Sequence, residues 1–311
     1  APPTPCARLS TMRAVVTGAD GFLGRALMAE LPEAVGLDLG DGDISKPGPW
    51  QDKVHGEVVF HTAAAVGMPK DARHFWAVNT LGTHNVLRAA IANGVRRFVL
   101  FSSVTVFGND FPDNVTEAYP TRSTGVPYAD SKIAAEHLCL MADGIEIVIL
   151  RPGDVYGPAS RPWTLLPLQM IKNRQVAVPT TGLHSPVYVS DVVAGALAAA
   201  DTPQAAGQII TLSGGVGVPT GEYFDHYARM LGRRAVLRVP RAAMLAGTGL
   251  ANRVGMMPDL SPAGVRYLAD RRGTYSIDKA RRLLGWTPQV DLQHGMALTR
   301  DWLAGQGLLA R

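Results

Sequence analysis

The sequence predicts an α/β protein with a doubly wound parallel sheet and a smaller C-terminal lobe. Short apolar runs alternate with helical patterns through the first half of the chain, and a glycine-rich turn joins the first run to the first helix. The runs are continuously apolar, as expected for parallel strands that are buried on both faces. After residue 157 the alternation loosens. We therefore expect a flexible tail over 1–11, a sheet core over 12–157 to which later segments return, and a second lobe mainly over 158–311.

The predicted elements follow from the spacing of apolar residues along the chain. The strands share a core of Val, Ile, Leu or Phe and cover 13–18, 33–40, 56–65, 96–103 and 145–153. The helices have apolar residues at helical spacing and cover 22–31, 75–94, 128–144, 222–232, 262–270 and 277–284. Prolines and short segments dominate 158–221, where 187–192 is expected to be a strand.

Composition and charge exclude several classes of protein. The chain is 47% hydrophobic and 18% charged, and no apolar run approaches the roughly 20 residues of a membrane span. The N-terminal segment lacks the apolar core of a signal peptide. Cys6 and Cys139 lie far apart, so we expect a reducing cytoplasm, with no disulfide framework and no metal site. The net charge of +4 is modest and its basic residues are scattered, so nucleic acid is not an expected partner.

The segment TGADGFLG, residues 17–24, places three glycines where the first strand meets the first helix. Gly18 permits the tight turn, Gly21 lets backbone N–H groups approach a pyrophosphate, and Gly24 allows close helix packing. The helix N-terminus adds a partial positive charge that favours phosphates. The turn therefore predicts a dinucleotide site of the Rossmann type.

Asp38 lies 20 residues after Gly18, at the end of the second predicted strand. An acid in this place accepts hydrogen bonds from the adenosine ribose and repels a 2′-phosphate, so NAD is favoured over NADP. Two alternatives stay open. Asp38 is a surface residue of the acidic loop that follows, or Arg25 reaches a 2′-phosphate and weakens the preference.

Seven segments carry a family signature through their order and spacing. They are TGADGFLG, DGDI (41–44), VFHTAAA (59–65), NTLGTHNVLRAA (79–90), FSSVTVFG (101–108), YADSK (128–132) and RPGDVYGP (151–158). Together they resemble the extended short-chain dehydrogenase/reductase family, which includes NAD-dependent epimerases and dehydratases. The resemblance covers Met12 to about Trp302, and 207–215, 239–251 and 264–286 are similar to its 3β-hydroxysteroid dehydrogenase-like branch. It implies an NAD-binding Rossmann core and a substrate-binding C-terminal lobe.

The resemblance implies that Ser103, Tyr128 and Lys132 are catalytic. A Tyr and a Lys four residues apart share a helix face, and without this context that face would be interpreted as a solvated one. A phenol with a pKa of about 10 is a poor base, and a neighbouring ammonium lowers that pKa. Ser103 would donate a hydrogen bond to the substrate oxygen, and Tyr128 would transfer the proton. Lys132 would also hold the cofactor ribose.

Further contacts are implied by position in the same motifs. The implied cofactor contacts are Gly18, Gly21, Phe22, Leu23, Gly24, Asp38, Asp43, Ile44, Ala63, Ala64, Asn79, Tyr128, Lys132, Pro152 and Gly153. The implied substrate contacts are Ser103, Thr105, Asp154 and His184. Ser102 and His61 are expected to be packed neighbours rather than reacting groups.

Departures from the family pattern reduce the number of activities that the sequence supports. Sugar dehydratases carry an Asp–Glu pair directly after the catalytic serine or threonine, whereas Val104 and Thr105 stand here. Nucleotide-sugar enzymes usually have Asn where this chain has Asp154 and Arg where it has His184. A carboxylate and a mostly neutral histidine would weaken binding of a diphosphate. Arg161 or Arg174 could replace the missing arginine. Four residues of the second lobe offer soft apolar surface for a ligand or for the core: Met244, Leu245, Met256 and Met257.

Three functions remain open. The first is an NAD-dependent oxidoreductase that acts on a secondary alcohol or ketone of a largely uncharged substrate. The second is a nucleotide-sugar 4-epimerase or sugar ketoreductase with the same catalytic residues. The third is a non-catalytic NAD(H)-binding protein, which would not need the Ser/Tyr/Lys set. The Arg-over-Lys bias with high Ala and Gly content indicates a GC-rich bacterium.

The resemblance also implies a homodimer. In the family, the helices that correspond to 75–94 and 128–144 commonly pair across a two-fold axis. Both segments are apolar over much of their length, and Leu81, Val86 and Ile133 are available, with Leu138, for the core or for such an interface.

Overall fold

A parallel six-stranded sheet forms the centre of the protein, in a computed structural model that describes residues 12–67, 71–173, 177–253 and 262–309. The predicted tail over 1–11, Arg174, Met256 and Met257 lie outside these residues. In chain order the strands are β1 Ala14–Thr17, β2 Val35–Leu37, β3 Val58–His61, β4 Arg97–Phe101, β5 Glu146–Pro152, β6 Asp154–Tyr156, β7 Ala177–Pro179, β8 Leu183–His184, β9 Pro186–Tyr188, β10 Gln208–Leu212, β11 Val218–Pro219 and β12 Leu237–Val239.

Across the central sheet the strands lie in the order β2-β1-β3-β4-β5-β10, and all neighbours are parallel. The direction of winding reverses between β1 and β3. Ligands of open parallel sheets bind at such a reversal, beyond the carboxyl ends of the strands. The return of β10 to pair with β5 adds a segment from the second half of the chain to the sheet.

Helices cover both faces of this sheet. They are α1 Phe22–Glu30, α2 Ala72–Phe75, α3 Thr83–Ala92, α4 Pro127–Leu140, α5 Leu166–Lys172, α6 Val189–Asp201, α7 Thr220–Met230, α8 Arg241–Arg253, α9 Pro262–Asp270, α10 Asp278–Leu284 and α11 Leu292–Gly305. Val16 and Phe60 point into a core with α1 and α6, whereas Val15 and Val59 point into a core with α3 and α4. Successive strand residues therefore enter different cores, which explains why the runs are continuously apolar.

The helix predicted over 75–94 has a different internal structure. Helix α2 is followed by a π-helical segment, Trp76–Gly82, and then by α3. Single π-helical turns inside helices occur often at functional sites. This segment carries Asn79, a predicted cofactor contact.

The prediction of short, irregular structure over 158–221 is wrong in two places. Helix α5 lies within it, and the strand predicted at 187–192 ends at Tyr188, where α6 begins. The run from 187 to 193 contains four valines, which favour a strand locally. Tertiary packing overrides that preference because Val192 and Ala196 are fully buried on one face of the helix. The Asp191 carboxylate also accepts from the backbone N–H groups of Gln289 and Val290, both at 3.0 Å.

The remaining strands build the smaller lobe. Strand β6 pairs with β9, β7 pairs with β12, and β8 pairs with β11. Helices α7 to α9 pack against these short sheets, and α10 packs against β10 of the central sheet. Within the described ranges, no helix has both the length and the apolar character that a membrane crossing requires.

Candidate active site

The carboxyl ends of four neighbouring strands bring the predicted site residues to one edge of the sheet. Gly18 follows β1, Ala63 follows β3, Ser103 follows β4 and Gly153 follows β5. The loops are in direct contact, since a Cβ added to Gly18 would lie 2.7 Å from the backbone of Ala63. The Ser102 N–H donates to the Leu150 carbonyl at 2.8 Å, which joins the ends of β4 and β5.

The glycine-rich turn has the close packing that a dinucleotide site requires. Gly18 has a φ of 73°, and a Cβ added to Gly24 would lie 2.0 Å from the Gly18 carbonyl oxygen. No larger residue fits at Gly24 unless the backbone moves. Gly21 caps α1, and Phe22 and Leu23 form its first turn, so that backbone N–H groups face the sheet edge. These features fit a pyrophosphate.

A pocket of about 450 Å³ continues from this turn along β2. It is lined by Ala19, Asp20, Arg25, Met28, Gly36, Asp38 and Asp41. The Asp38 carboxylate accepts from the backbone N–H groups of Asp20 and Leu39, both at 2.8 Å. The position and acidic lining of the pocket fit the adenosine half of NAD. Arg25 lines the same pocket. Asp38 could therefore repel a 2′-phosphate there, and Arg25 could bind one.

Asn79 holds the loop that follows β3. Its buried side chain accepts from the Ala65 N–H at 2.7 Å and donates to the Ala65 carbonyl at 3.1 Å and to Ser131 at 3.0 Å. The amide therefore fixes Ala63 to Ala65 against α4. Its contact with the nicotinamide side of the cofactor stays a prediction.

The loop after β2 places Asp43 and Ile44 beside the π-helical segment. The Asp43 carboxylate accepts from the Ser45 N–H at 3.0 Å, and the Ile44 carbonyl accepts from Asn85 at 2.8 Å. The Ile44 side chain packs against Gly82, where an added Cβ would lie 2.9 Å from it. The contact of Asp43 and Ile44 with the cofactor stays a prediction.

Ser103, Tyr128 and Lys132 come together beyond β4 and at the start of α4. Ser103 is buried, accepts from the Thr105 N–H at 3.2 Å and lies close enough to the Tyr128 hydroxyl to lower its pKa. The Lys132 ammonium is buried and donates to the Phe101 carbonyl at 2.8 Å. The Tyr128 ring packs edge-on against Phe75, with ring centres 6.1 Å apart.

The protonation of this set differs from the sequence expectation. Burial raises the pKa of the Tyr128 hydroxyl above its ordinary value, although the neighbouring Ser103 side chain acts in the opposite direction. Burial lowers the pKa of Lys132 to about 8. Burial and Ser103 are the groups that shift the Tyr128 pKa here, and the Lys132 ammonium donates to the Phe101 carbonyl, so the lowering of the tyrosine pKa by Lys132 stays a prediction. Tyr128 is protonated at neutral pH in this arrangement.

His61, the last residue of β3, is a packed residue, as expected. Its Nδ1 lies 2.7 Å from Thr17 Oγ1 and its Nε2 lies 2.9 Å from Thr83 Oγ1. Thr83 donates its own proton to the Asn79 carbonyl, so Nε2 carries the histidine proton and Nδ1 accepts from Thr17. Burial lowers the pKa of His61 to about 3, so the ring is neutral.

Asp154 and His184 occupy a buried cluster with Arg271. Two hydrogen bonds join the Arg271 guanidinium to the Asp154 carboxylate, at 2.7 and 3.2 Å. Tyr267 and the Ser185 N–H donate to the same carboxylate at 2.9 and 3.0 Å. Asp154, His184 and Arg271 are each at most 1% exposed. These contacts hold Asp154 and His184 inside the lobe, and their contact with a substrate stays a prediction.

Charge is balanced within that cluster. Burial by itself would raise the pKa of Asp154, but Arg271 and His184 hold it below its ordinary value. Burial lowers the pKa of His184, so its ring is neutral. One carboxylate and one guanidinium therefore neutralise each other. Thr105, the remaining predicted substrate contact, has a buried Oγ1 with no hydrogen-bond partner among the described residues.

Sequence reasoning missed several residues that support the site. Glu136 and Arg151 form a buried ion pair of 2.7 Å beside Ser103 and Lys132, and Arg271 supplies the partner of Asp154. The sequence could have predicted a buried ion pair at Arg151, because an arginine inside a buried strand requires a counter-charge. Glu136 lies four residues after Lys132 on the same helix face. Among the residues that the structure describes, no cluster of His, Cys, Asp or Glu could hold a metal ion.

Comparison with known proteins agrees with this geometry. A model described as the NAD dependent epimerase/dehydratase family matches residues 14–212. A 4-hydroxy-2-methyl-3-oxo-4-farnesyl-3,4-dihydroquinoline-1-oxide ketoreductase of Stigmatella aurantiaca is 28% identical and covers 96% of this chain and 99% of its own. A 2-alkyl-3-oxoalkanoate reductase of Stenotrophomonas maltophilia is 27% identical, in an alignment that covers 92% of this chain and 97% of the reductase. The solved structure of MoeE5 in complex with UDP-glucose and NAD is 24% identical, covers 95% and 99%, and has a TM-score of 0.76, which shows the shared fold.

Proposed function

The chain belongs to the NAD-dependent epimerase/dehydratase family, and on that premise we propose that it is an oxidoreductase that transfers hydride at a secondary alcohol or ketone of a largely uncharged substrate. Two relatives that align over almost their whole length are named as a ketoreductase and a reductase of oxo compounds, and neither name contains a nucleotide.

The residues around Ser103 support reduction of a carbonyl group. NADH, when bound, supplies the hydride that the carbonyl carbon accepts. Ser103 donates a hydrogen bond to the carbonyl oxygen as negative charge develops there. Tyr128 gives that oxygen its proton, so that the product is the alcohol, and takes a proton back from solvent afterwards. Lys132, held by the Phe101 carbonyl, keeps a positive charge beside these groups.

The protonation of Tyr128 is compatible with this direction. Because burial raises its pKa, the hydroxyl carries the proton that reduction consumes. Oxidation of an alcohol would need the tyrosinate instead, which forms less readily in the same environment.

The neutralised pair of Asp154 and Arg271 carries the proposal of an uncharged substrate. A site for a nucleoside diphosphate needs an arginine whose charge is available to phosphate oxygens. Arg271 stands beyond β5, in the lobe proposed to bind substrate, but two of its N–H groups already bind the Asp154 carboxylate. The alternative, a nucleotide-sugar 4-epimerase, rests on the fold shared with a protein solved with UDP-glucose.

A substrate screen tests the proposal. Purified protein with NADH is offered uncharged cyclic and long-chain ketones, and UDP- and TDP-sugars in parallel, with NADH absorbance and product chromatography as readouts. We expect NADH consumption with at least one apolar ketone. Interconversion of a UDP-sugar without net consumption of NADH would establish the epimerase instead.

Tyr128→Phe is the matched variant for the same assay, because it removes the hydroxyl and keeps the ring against Phe75. We expect kcat to fall by more than about tenfold, or about 1.4 kcal/mol of barrier. The affinity for NADH, measured by calorimetry, should stay within about twofold, since ring packing is retained. A variant that keeps most of its kcat would remove Tyr128 from the proton-transfer step.

A further inference from the structure

A single buried carboxylate, that of Glu136, joins α4, which carries Tyr128 and Lys132, to the ends of β4 and β5. It is 1% exposed and accepts a hydrogen bond from the Ser102 hydroxyl. The Arg151 guanidinium binds it through two further hydrogen bonds, at 3.0 and 2.7 Å. Arg151 is itself 2% exposed and lies over the Phe107 ring, 4.7 Å from its centre.

Glu136 and its two partners lie next to residues that the proposed reaction uses. Ser102 immediately precedes Ser103 at the end of β4. Arg151 immediately precedes Pro152 at the end of β5. Glu136 itself follows Lys132 by one turn of α4, on the same helix face. Its carboxylate therefore sets how the end of β4 and the end of β5 sit against the helix that carries Tyr128 and Lys132.

Glu136 also supplies a negative charge near Lys132. Burial lowers the pKa of Lys132 to about 8, and the nearby carboxylate opposes that lowering. The other groups around the ammonium are neutral or cationic: the His61 ring, the Cys139 thiol and the Tyr128 hydroxyl are neutral, and Arg151 is cationic. Among the described residues named here around the Lys132 ammonium, Glu136 is the one that carries a negative charge.

We propose that Glu136 is a positioning residue of the hydride-transfer site, which fixes Ser103 and Lys132 relative to each other and places a counter-charge one helical turn from the Lys132 ammonium. The proposal rests on the proposed function for its effect on turnover. Its electrostatic part concerns only residues of this chain and can be measured without any substrate.

The direct test is a pH titration of Lys132. Protein labelled with ¹³C-lysine is titrated by NMR, and the Lys132 Cε signal is assigned by its loss in Lys132→Arg. We expect a midpoint near 8 in the wild type and a lower midpoint in Glu136→Gln, because the ammonium loses its counter-charge. Glu136→Asp keeps the charge and should return the midpoint toward 8. An unchanged midpoint in Glu136→Gln would refute the electrostatic role.

Glu146→Gln is the matched control. Glu146, the first residue of β5, likewise binds a buried arginine, because its carboxylate lies 2.8 Å from Arg97 at the start of β4, but this pair lies at the amino ends of the strands, away from the site. Both variants lose an Arg–Glu pair and should lose stability. Only Glu136→Gln should shift the Lys132 midpoint, and a shift of equal size in Glu146→Gln would mean that general loosening is the cause.

Measurements of kcat and KM test whether Glu136 positions Ser103 and Lys132. Once a ketone substrate is known, Glu136→Gln should lower kcat by at least about tenfold with KM within about threefold, because the loss falls on the transition state. Ser102→Ala covers the case in which Glu136→Gln does not fold, since it removes one hydrogen bond of the carboxylate and keeps the ion pair. It should lower kcat and leave the Lys132 midpoint unchanged. A wild-type kcat in Ser102→Ala would contradict the positioning role, whereas failure of every ketone with wild-type protein would count against the proposed function alone.

Discussion

Asp154 shows how one side chain can change what a neighbouring charge is able to bind. Its two oxygens receive donors from Arg271, Tyr267 and the Ser185 backbone, so the carboxylate is saturated. Arg271 is fully buried, and its charge is paired with the Asp154 carboxylate. Removal of one member of such a pair leaves an uncompensated charge, which costs about 3–5 kcal/mol. Loss of the Asp154 charge would also leave the Arg271 guanidinium available to another anion.

Asp154→Asn should therefore create affinity for a nucleoside diphosphate. The amide keeps the shape of the carboxylate and releases the Arg271 charge. In thermal unfolding, we expect a lower Tm for the variant and an increase in that Tm with added UDP, which the wild type lacks. A ligand that binds only the folded state at about 100 times its Kd adds about 2.7 kcal/mol.

Asp225→Asn provides the control for Asp154→Asn. It breaks another Arg–Asp pair of the smaller lobe, between Arg238 and Asp225 at 2.6 Å, and should not respond to UDP. The absence of any UDP effect on a folded Asp154→Asn protein would show that Arg271 does not face the substrate space. UDP stabilisation of the wild type would instead favour the nucleotide-sugar alternative.

Asp38 should select NAD(H) over NADP(H). Its carboxylate stands in the pocket beyond the glycine-rich turn, fixed by the backbone of Asp20 and Leu39. A 2′-phosphate placed there would meet this charge at close range, and such repulsion is a source of selectivity. We expect calorimetry to give at least tenfold tighter binding of NAD(H), or about 1.4 kcal/mol.

Asp38→Asn should reduce that ratio, because the amide removes the charge and keeps the size. Asp41→Asn is its control, since Asp41 lines the same pocket but is paired with Lys53 at 2.7 Å. Equal affinities for the two cofactors in the wild type would point to Arg25 as the group that accepts the phosphate. An unchanged ratio in Asp38→Asn would likewise remove Asp38 as the selector.

At the scale of elements, local sequence predicted the strands and missed α6. The five strands predicted in the first half of the chain all occur; β1, β3, β4 and β5 are largely buried on both faces, whereas β2 leaves Val35 exposed at the edge of the sheet. Residues 189–201 begin with a valine-rich run that favours a strand, and only their packing against the sheet makes them a helix. Similarly, the pairs that organise the site join distant positions. Asp154 and Arg271 are 117 residues apart, and no local pattern connects them.

The π-helical segment adds a second lesson at this scale. The sequence indicated one continuous helix over 75–94, and motif resemblance selected Asn79 within it. The extra residue per turn is visible only in the structure, where it accompanies the bonds of Asn79 to Ala65 and Ser131. A motif could thus identify the residue, but its geometry depended on a neighbouring helix and loop.

At the scale of the whole molecule, the surface of α3, α4 and the segments beside them keeps large apolar side chains exposed. They are Trp76 at 43%, Leu81 at 47%, Leu140 at 50% and Met141 at 81%. Val86, one of the residues predicted to be available for a core or an interface, is fully buried in the core. The π-helical segment and α4 are adjacent, since Thr80 donates to the Ser131 carbonyl at 3.1 Å. Exposed apolar residues on neighbouring helices are typical of a surface that binds a partner.

We predict that this surface joins two copies of the chain as a homodimer. Light scattering of wild-type protein at micromolar concentration should give about twice the chain mass of 33.1 kDa. Leu81→Arg should give a monomer, because a closed two-fold interface would bury the new charge twice, close to its own copy. Leu298→Arg changes an exposed leucine of α11 in the same way and should remain a dimer. A wild-type mass of one chain across the micromolar range would overturn the prediction, and dissociation by Leu298→Arg alone would move the interface to α11.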